Sequence, residues 1–145
     1  DGSPFYDENY KYEYGHCDVI CKGKDMTIAA TGAMINEALK AREILSQKKP
    51  NLSVEIIAVS SIKKFDDKLI DSIKKTNKVI TVEDHNVISG LGSQLARHLT
   101  LNNIHVAAFK TMGVTEYQLS GKVDELYHSA KIDADAIMET ILQII

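Results

Sequence analysis

The sequence of 145 residues has no tryptophan, only two prolines and two cysteines, and no apolar run near the roughly 20 residues that a membrane-spanning helix needs. Its acidic start, residues 1–13, lacks the basic and apolar regions of a secretory signal peptide. The formal charge is −3, and lysines and arginines are spread along the chain, so no overall nucleic-acid footprint is present. We therefore expect a soluble, cytoplasmic domain without nucleic-acid or membrane partners.

The two cysteines, Cys17 and Cys21, lie in a segment with a weak strand pattern. In a regular strand this spacing places both thiols on one face, too far apart for a disulfide. A zinc site needs further ligands, and His16 is the only candidate nearby. We predict reduced, buried thiols and no metal site.

Apolar strand patterns alternate with amphipathic helix patterns along most of the chain. Strands are predicted at residues 17–21, 26–31, 54–59, 79–82 and 104–109. Helices are predicted to follow Gly32, Asp66 or Asp67, the glycines at 90 and 92, and Asp133, with a loop at 112–122 and a short helix at 123–128.

Alternating strands and helices predict a three-layer α/β/α domain with a five-stranded, mostly parallel sheet, because a parallel crossover needs a helix-length connection. The connection at residues 22–25 is too short for a crossover, so the first strand is predicted to be antiparallel. Residues 1–15 are polar and contain four tyrosines among acidic residues, which is typical of an interdomain linker. The domain itself is predicted to span residues 16–145.

Gly90, Gly92 and Ser93 follow a predicted strand and resemble part of a dinucleotide-binding fingerprint. Leu95 takes the place of the third glycine, and Lys110 stands where an acidic residue would hold the ribose. We therefore favour the interpretation that these glycines form a tight turn, which lets the helix pack closely. A phosphate-binding loop is the less favoured alternative.

Glu83, Asp84 and His85 follow the same strand at its carboxyl end, where open α/β sheets bind ligands. A carboxylate there could orient the histidine. No nucleophile is identifiable nearby, so a solvated turn is favoured over acid–base chemistry.

Several segments, in order and spacing, resemble the C-terminal domain of transketolase, and the match covers nearly the whole chain. In two of them the resemblance is to the shorter animal and archaeal type, whereas residues 116–119 replace a more basic run of the family. The segments are Asp25-Met26-Thr27-Ile28, Thr31-Gly32, Thr81-Val82-Glu83-Asp84-His85, Gly90-Leu91-Gly92, Ser120-Gly121-Lys122 and Asp133-Ala134-Asp135-Ala136-Ile137.

This resemblance implies a transferase of the pentose phosphate pathway that moves a two-carbon ketol unit between sugar phosphates. It implies thiamine diphosphate and Mg²⁺ held by N-terminal and middle domains that lie outside this sequence, so no catalytic, cofactor-binding or metal-binding residue is assigned here. The fragment is expected to be inactive alone and to support packing and the homodimer. A regulatory or anion ligand near the strand ends would have as candidates Glu83, Asp84, His85, Gly90, Gly92 and Ser93.

Other interpretations stay open. Similar C-terminal domains occur in deoxyxylulose-phosphate synthase and in 2-oxoacid dehydrogenases. A free-standing anion or nucleotide binder would use the incomplete glycine pattern. If the chain is the accessory domain of a larger enzyme, we expect it to be either an excised domain or a separately encoded subunit.

Overall fold

A computed structural model of the chain describes residues 6–145, which form one mixed sheet and five helices. The strands are β1 (Cys17–Cys21), β2 (Met26–Ala30), β3 (Val54–Val59), β4 (Lys78–Asn86) and β5 (Ala108–Val114). The helices are α1 (Met34–Lys48), α2 (Asp67–Thr76), α3 (Leu91–Leu101), α4 (Val123–Ser129) and α5 (Ala134–Ile144). None of these helices has the length and apolar character that crossing a bilayer requires.

The sheet has the strand order β1-β3-β2-β4-β5. Strands β2 to β5 run parallel, and β1 pairs antiparallel with β3, which confirms the predicted topology. Because β1 is antiparallel, its first residues lie at the carboxyl end of the parallel strands: Cys17 pairs with Val59 and Asp18 with Ala58. We call this side the carboxyl end of the sheet and the opposite side the amino end.

Helices cover both faces of the sheet, as the three-layer prediction requires. Ile28, Ile56 and Ile80 pack on one face with buried residues of α1 and α5. Ala29 and Ile57 pack on the other face with buried residues of α2 and α3. All six residues of β3 are buried and five of them are apolar, which explains why its sequence does not alternate between apolar and polar residues.

Two aspartates begin helices as N-caps. The Asp66 side chain accepts a hydrogen bond from the Lys68 N–H at the start of α2, so Asp66, and not Asp67, is the cap. The Asp133 side chain accepts from the Ala136 N–H at the start of α5. Both helices therefore start where the capping residues predict.

The prediction of the last strand began four residues too early, because residues 104–107 lie before β5. The Ile104 N–H donates to the Leu99 carbonyl and the Asn103 N–H to the Thr100 carbonyl, while Asn103 has a φ of 54°. These bonds form a Schellman motif that ends α3. The apolar residues Ile104 and Val106 thus pack behind a helix terminus, and the strand begins only at Ala108. The predicted loop accordingly starts after Val114 instead of at 112.

The prediction that both cysteines face one side of the sheet was also wrong. A register shift between Val19 and Cys21 interrupts the pairing of β1 with β3. Because a bulge adds one residue, it reverses the side to which later residues point. Cys17 packs with the α2 and α3 face, where burial raises its pKa to about 11, and Cys21 packs against the α1 and α5 face.

The N-terminal segment from residue 6 to 15 forms no strand or helix but packs on β1. The phenol groups of Tyr6 and Tyr10 both donate to Asp18 Oδ2, at 2.9 and 2.7 Å, and their rings stack with centroids 3.9 Å apart. The remainder of the predicted linker, residues 1–5, lies outside the described residues.

Candidate functional site at the carboxyl end of the sheet

The predicted site lies where β4 ends and α3 begins, and Glu83 is its central side chain. Glu83 is 1% exposed and its carboxylate meets the first turn of α3. Oε2 accepts the Leu91 N–H at 2.6 Å, and Oε1 accepts the Gly92 N–H at 2.9 Å. Both N–H groups belong to the first turn, which has no partners within the helix. The chain itself therefore supplies the negative charge that stabilises this helix N-terminus.

The two glycines make room for this contact. A Cβ atom on Gly90 would lie 1.6 Å from Glu83 Oε2. A Cβ atom on Gly92 would lie 2.5 Å from Thr111 Cγ2 and 2.8 Å from Thr81 Oγ1. Gly90 thus admits the carboxylate and Gly92 brings α3 close to β4 and β5, which confirms the interpretation of a packing turn.

Ser93 closes the connection between β4 and α3. Its Oγ donates to the Val87 carbonyl at 2.5 Å, and the Gly90 N–H donates to the Asn86 carbonyl at 3.2 Å. The Asn86 side chain accepts the Ile88 N–H at 2.8 Å. Ser93 therefore holds the connecting loop in place.

Asp84 and His85 lie within β4, so the prediction of a solvated turn at these positions was wrong. The strand continues to Asn86, which pairs with Val114 beyond a register shift. Both side chains are exposed. Asp84 Oδ2 accepts a hydrogen bond of 3.0 Å from the Tyr127 hydroxyl of α4. Burial and, to a smaller extent, the hydrogen bond to Asp84 raise the pKa of Tyr127.

The structure thus separates the two carboxylates that are adjacent in the sequence. Glu83 contacts α3 on one face of the sheet, and Asp84 contacts α4, whose Tyr127 packs with the other face. Alternation of side chains along a strand is the reason. Because Glu83 bonds to α3 and Asp84 bonds to α4, the two carboxylates hold these helices against β4.

One buried hydroxyl remains without a hydrogen-bond partner in the described part of the chain. This is Thr81 Oγ1, which faces Gly92 at 0% exposure. Sequence reasoning did not single out Thr81 or Tyr127, because their contacts with Gly92 and Asp84 join different elements of the fold.

A second polar cluster lies near the amino end of the sheet. Glu55, 4% exposed, accepts a hydrogen bond of 2.7 Å from Ser72 Oγ and forms an ion pair with Lys75. Thr27 Oγ1 lies 2.7 Å from Ser72 Oγ and 2.8 Å from Thr76 Oγ1. These partners compensate the buried charge of the Glu55 carboxylate between β3 and α2, so the ion pair of Lys75 helps to hold α2 on the sheet.

With this geometry known, comparison with other proteins decides the family. Residues 15–137 match the model of the family described as transketolase, C-terminal domain. The chain belongs to this family. The resemblance found in the sequence motifs is thereby confirmed.

The family occurs in several thiamine diphosphate-dependent enzymes. A protein of Methanocaldococcus jannaschii, provisionally named a transketolase C-terminal section, is 35% identical over 138 residues, covering 94% of this chain and 42% of that protein. The 1-deoxy-D-xylulose-5-phosphate synthase of Halothermothrix orenii is 32% identical, covering 90% of this chain and 21% of that enzyme. A pyruvate dehydrogenase E1 β subunit of Staphylococcus epidermidis is 36% identical over 94 residues, covering 64% of this chain and 28% of that subunit.

A solved structure agrees with the same assignment. The chain superposes on a split-gene transketolase, described as an inactive β4 tetramer, with a TM-score of 0.88 and 26% identity. The superposition covers 98% of this chain and 46% of the other. The chain therefore spans less than half the length of these relatives.

Proposed function

We propose that this chain is the C-terminal domain of a transketolase that transfers a two-carbon ketol unit between sugar phosphates in the pentose phosphate pathway. The domain is not catalytic itself. It packs on the N-terminal and middle domains, or on a separate subunit that carries them, and supports a cytoplasmic homodimer. The similarity to the archaeal C-terminal section and to the split-gene transketolase favours this enzyme over the synthase and the dehydrogenase.

The observation that carries the structural role is the contact of Glu83 with α3. In sheets of this kind, a helix N-terminus at the carboxyl end is where a phosphate would bind. Here the Glu83 carboxylate already binds the N–H groups of Leu91 and Gly92. These two N–H groups are thus engaged in holding α3 against β4.

The proposal assigns thiamine diphosphate and Mg²⁺ to the other domains. Mg²⁺ needs oxygen ligands grouped around one point. Within residues 6–145, no group of three or more His, Cys, Asp or Glu side chains is arranged to hold a metal ion. The described residues thus offer no such cluster for Mg²⁺, and we derive no catalytic step through either cofactor.

A substrate assay on the whole enzyme tests the proposal. With thiamine diphosphate and Mg²⁺, we expect ketol transfer from a ketose phosphate to an aldose phosphate, and no turnover by the chain alone. Omission of thiamine diphosphate is the control. Consumption of pyruvate in place of the ketose phosphate would assign the chain to the synthase or dehydrogenase branch. Turnover by the chain alone would contradict the non-catalytic role.

The regulatory site stays a prediction, and the geometry restricts its form. The exposed side chains are Asp84 and His85, whereas the N–H groups of α3 are bound to Glu83. A titration with sugar phosphates and nucleotides, followed by amide chemical shifts, tests both this site and the free-standing anion binder. Shifts near Gly90 and His85 would support binding, and their absence would exclude it.

A further inference from the structure

The segment that leads into the domain lies at the carboxyl end of the sheet. Tyr6 and Tyr10 bond Asp18 of β1, and the start of β1 is at this end because the strand is antiparallel. Ser60, which follows β3, donates to the His16 carbonyl at 3.0 Å. Any chain preceding residue 6 is therefore connected to the domain at its carboxyl end.

Most exposed apolar side chains lie at this same end. Eleven large apolar side chains are exposed among residues 6–145. Seven belong to the incoming segment or follow β4 and β5: Tyr10, Tyr12, Tyr14, Ile88, Tyr117, Leu119 and Val123. Three others lie near the amino end of the sheet. Leu101 is the last residue of α3, and Leu142 and Ile145, at the end of α5, lie close to Asp25, the residue before β2.

The most exposed of the seven are on the loop between β5 and α4. Tyr117 is fully exposed and Leu119 is 89% exposed. This loop borders a cleft of about 680 Å³ between residues 115–121 and the helix α4. Covering an exposed apolar side chain on such a loop with a partner removes apolar surface from water and lowers the free energy. Aromatic residues are enriched at interfaces for this reason.

We propose that the carboxyl end of the sheet is the docking surface for the domain immediately upstream in the same enzyme, with Tyr117 and Leu119 as its apolar anchors. The proposal rests on the proposed function, since it identifies the surface by which the C-terminal domain packs on the rest of the enzyme. Ile88 and Val123 are further exposed apolar side chains at this end of the sheet.

The geometry favours an upstream domain as the occupant because the incoming segment and the anchors are within reach of one domain. The incoming segment contacts β1, at one edge of the sheet, and the anchors follow β5, at the other edge. Four interstrand spacings of about 4.8 Å separate these edges by roughly 19 Å. A domain of about 100 residues has a radius of gyration of about 13 Å and spans that distance.

Site-specific photocrosslinking in the whole enzyme tests the proposal. A photoreactive phenylalanine analogue is placed at position 117 in one preparation and at position 101, near the amino end, in the matched control. We expect crosslinks from position 117 to the upstream polypeptide, identified by mass spectrometry, and none to it from position 101. Crosslinks from position 117 to a second copy of this domain, no crosslink at all, or equal crosslinking from position 101 would overturn the proposal.

A pair of double variants provides a second measurement. In the whole enzyme, Y117S/L119S is expected to raise hydrogen exchange of residues 6–15 and 115–123 at least about tenfold, because loss of the anchors releases the docked domain. L101S/I145S, which truncates two side chains near the amino end, is expected to leave this exchange unchanged. Equal exchange in the two variants would contradict the inference.

The two proposals fail in different assays. If the whole enzyme consumes pyruvate while position 117 still crosslinks upstream, the transketolase assignment is wrong and the docking surface stands. If ketol transfer is observed without that crosslink, the docking surface is wrong and the transketolase assignment stands.

Discussion

Replacing Glu83 by glutamine tests whether this carboxylate fixes α3 to the sheet. The carboxylate is buried and accepts two backbone N–H groups at 2.6 and 2.9 Å. Glutamine has nearly the same shape but only one acceptor oxygen. Its NH₂ group would face an N–H donor of α3, so one buried bond is lost and the other loses its charge.

The expected cost follows from the two bonds. A hydrogen bond to a charged group contributes about 1.5–3 kcal/mol, and a buried donor left unpaired costs about 1–3 kcal/mol. Glu83→Gln is therefore expected to lower the free energy of unfolding by about 3 kcal/mol. With a urea slope of about 2 kcal/mol/M, the unfolding midpoint falls by about 1.5 M.

Urea unfolding followed by far-ultraviolet circular dichroism measures this change, since the chain has no tryptophan for fluorescence. Glu125→Gln is the matched control. Glu125 also accepts a backbone N–H at a helix start, that of Lys122 at 3.1 Å, but it is exposed. We expect the control to lose about 0.5 kcal/mol or less. Equal midpoints for the two variants would refute the structural role of Glu83 and leave the α3 amides available to a ligand.

Three further predictions concern other contacts. Gly90→Ala places a Cβ atom 1.6 Å from Glu83 Oε2, and because the φ of −85° is an ordinary one, the effect is steric. We expect the free energy of unfolding to fall by about 2 kcal/mol in the same urea assay. An unchanged unfolding midpoint would contradict this prediction. The hydrogen bond to Asp18 and, to a smaller extent, burial raise the pKa of Tyr10. The contribution of this contact to the free energy of unfolding is therefore complete below pH 10.0 and is lost as the pH rises through the folded-state pKa. Asp18→Asn is expected to move tyrosine ionisation, read at 295 nm, to lower pH, and an identical titration would show that the contact is not formed in solution. Cys17 is 1% exposed with a pKa raised to about 11 by burial, so at pH 8 we expect it to react with Ellman's reagent only on unfolding; rapid labelling of both thiols in the native protein would contradict its burial.

Local patterns in the sequence predicted the fold well because their physics is local. The apolar run of β3, the caps Asp66 and Asp133, and the short connection that makes β1 antiparallel each depend on a few neighbouring residues. The family motifs also follow one another in order along the chain, so the family could be identified without coordinates.

Features that depend on distant partners were predicted less well. The start of β5 depends on how α3 ends and on the Asn77 carbonyl, which accepts the Ala107 N–H at 2.8 Å. The faces of Cys17 and Cys21 depend on a bulge that appears only when β1 pairs with β3. An apolar run is compatible with each of these outcomes, and pairing between distant segments selects one.

The carboxyl end of the sheet shows the same division. The sequence by itself determined that a glycine turn and a helix follow one strand and that acidic residues lie near the carboxyl end of that strand, and it favoured packing over phosphate binding. Only the tertiary structure decided that Glu83 binds the amides of Leu91 and Gly92, and that Asp84 turns to Tyr127 instead. The reason is geometric: a carboxylate stabilises whichever donors lie within hydrogen-bond distance, and packing of α3 and α4 on the sheet sets those distances.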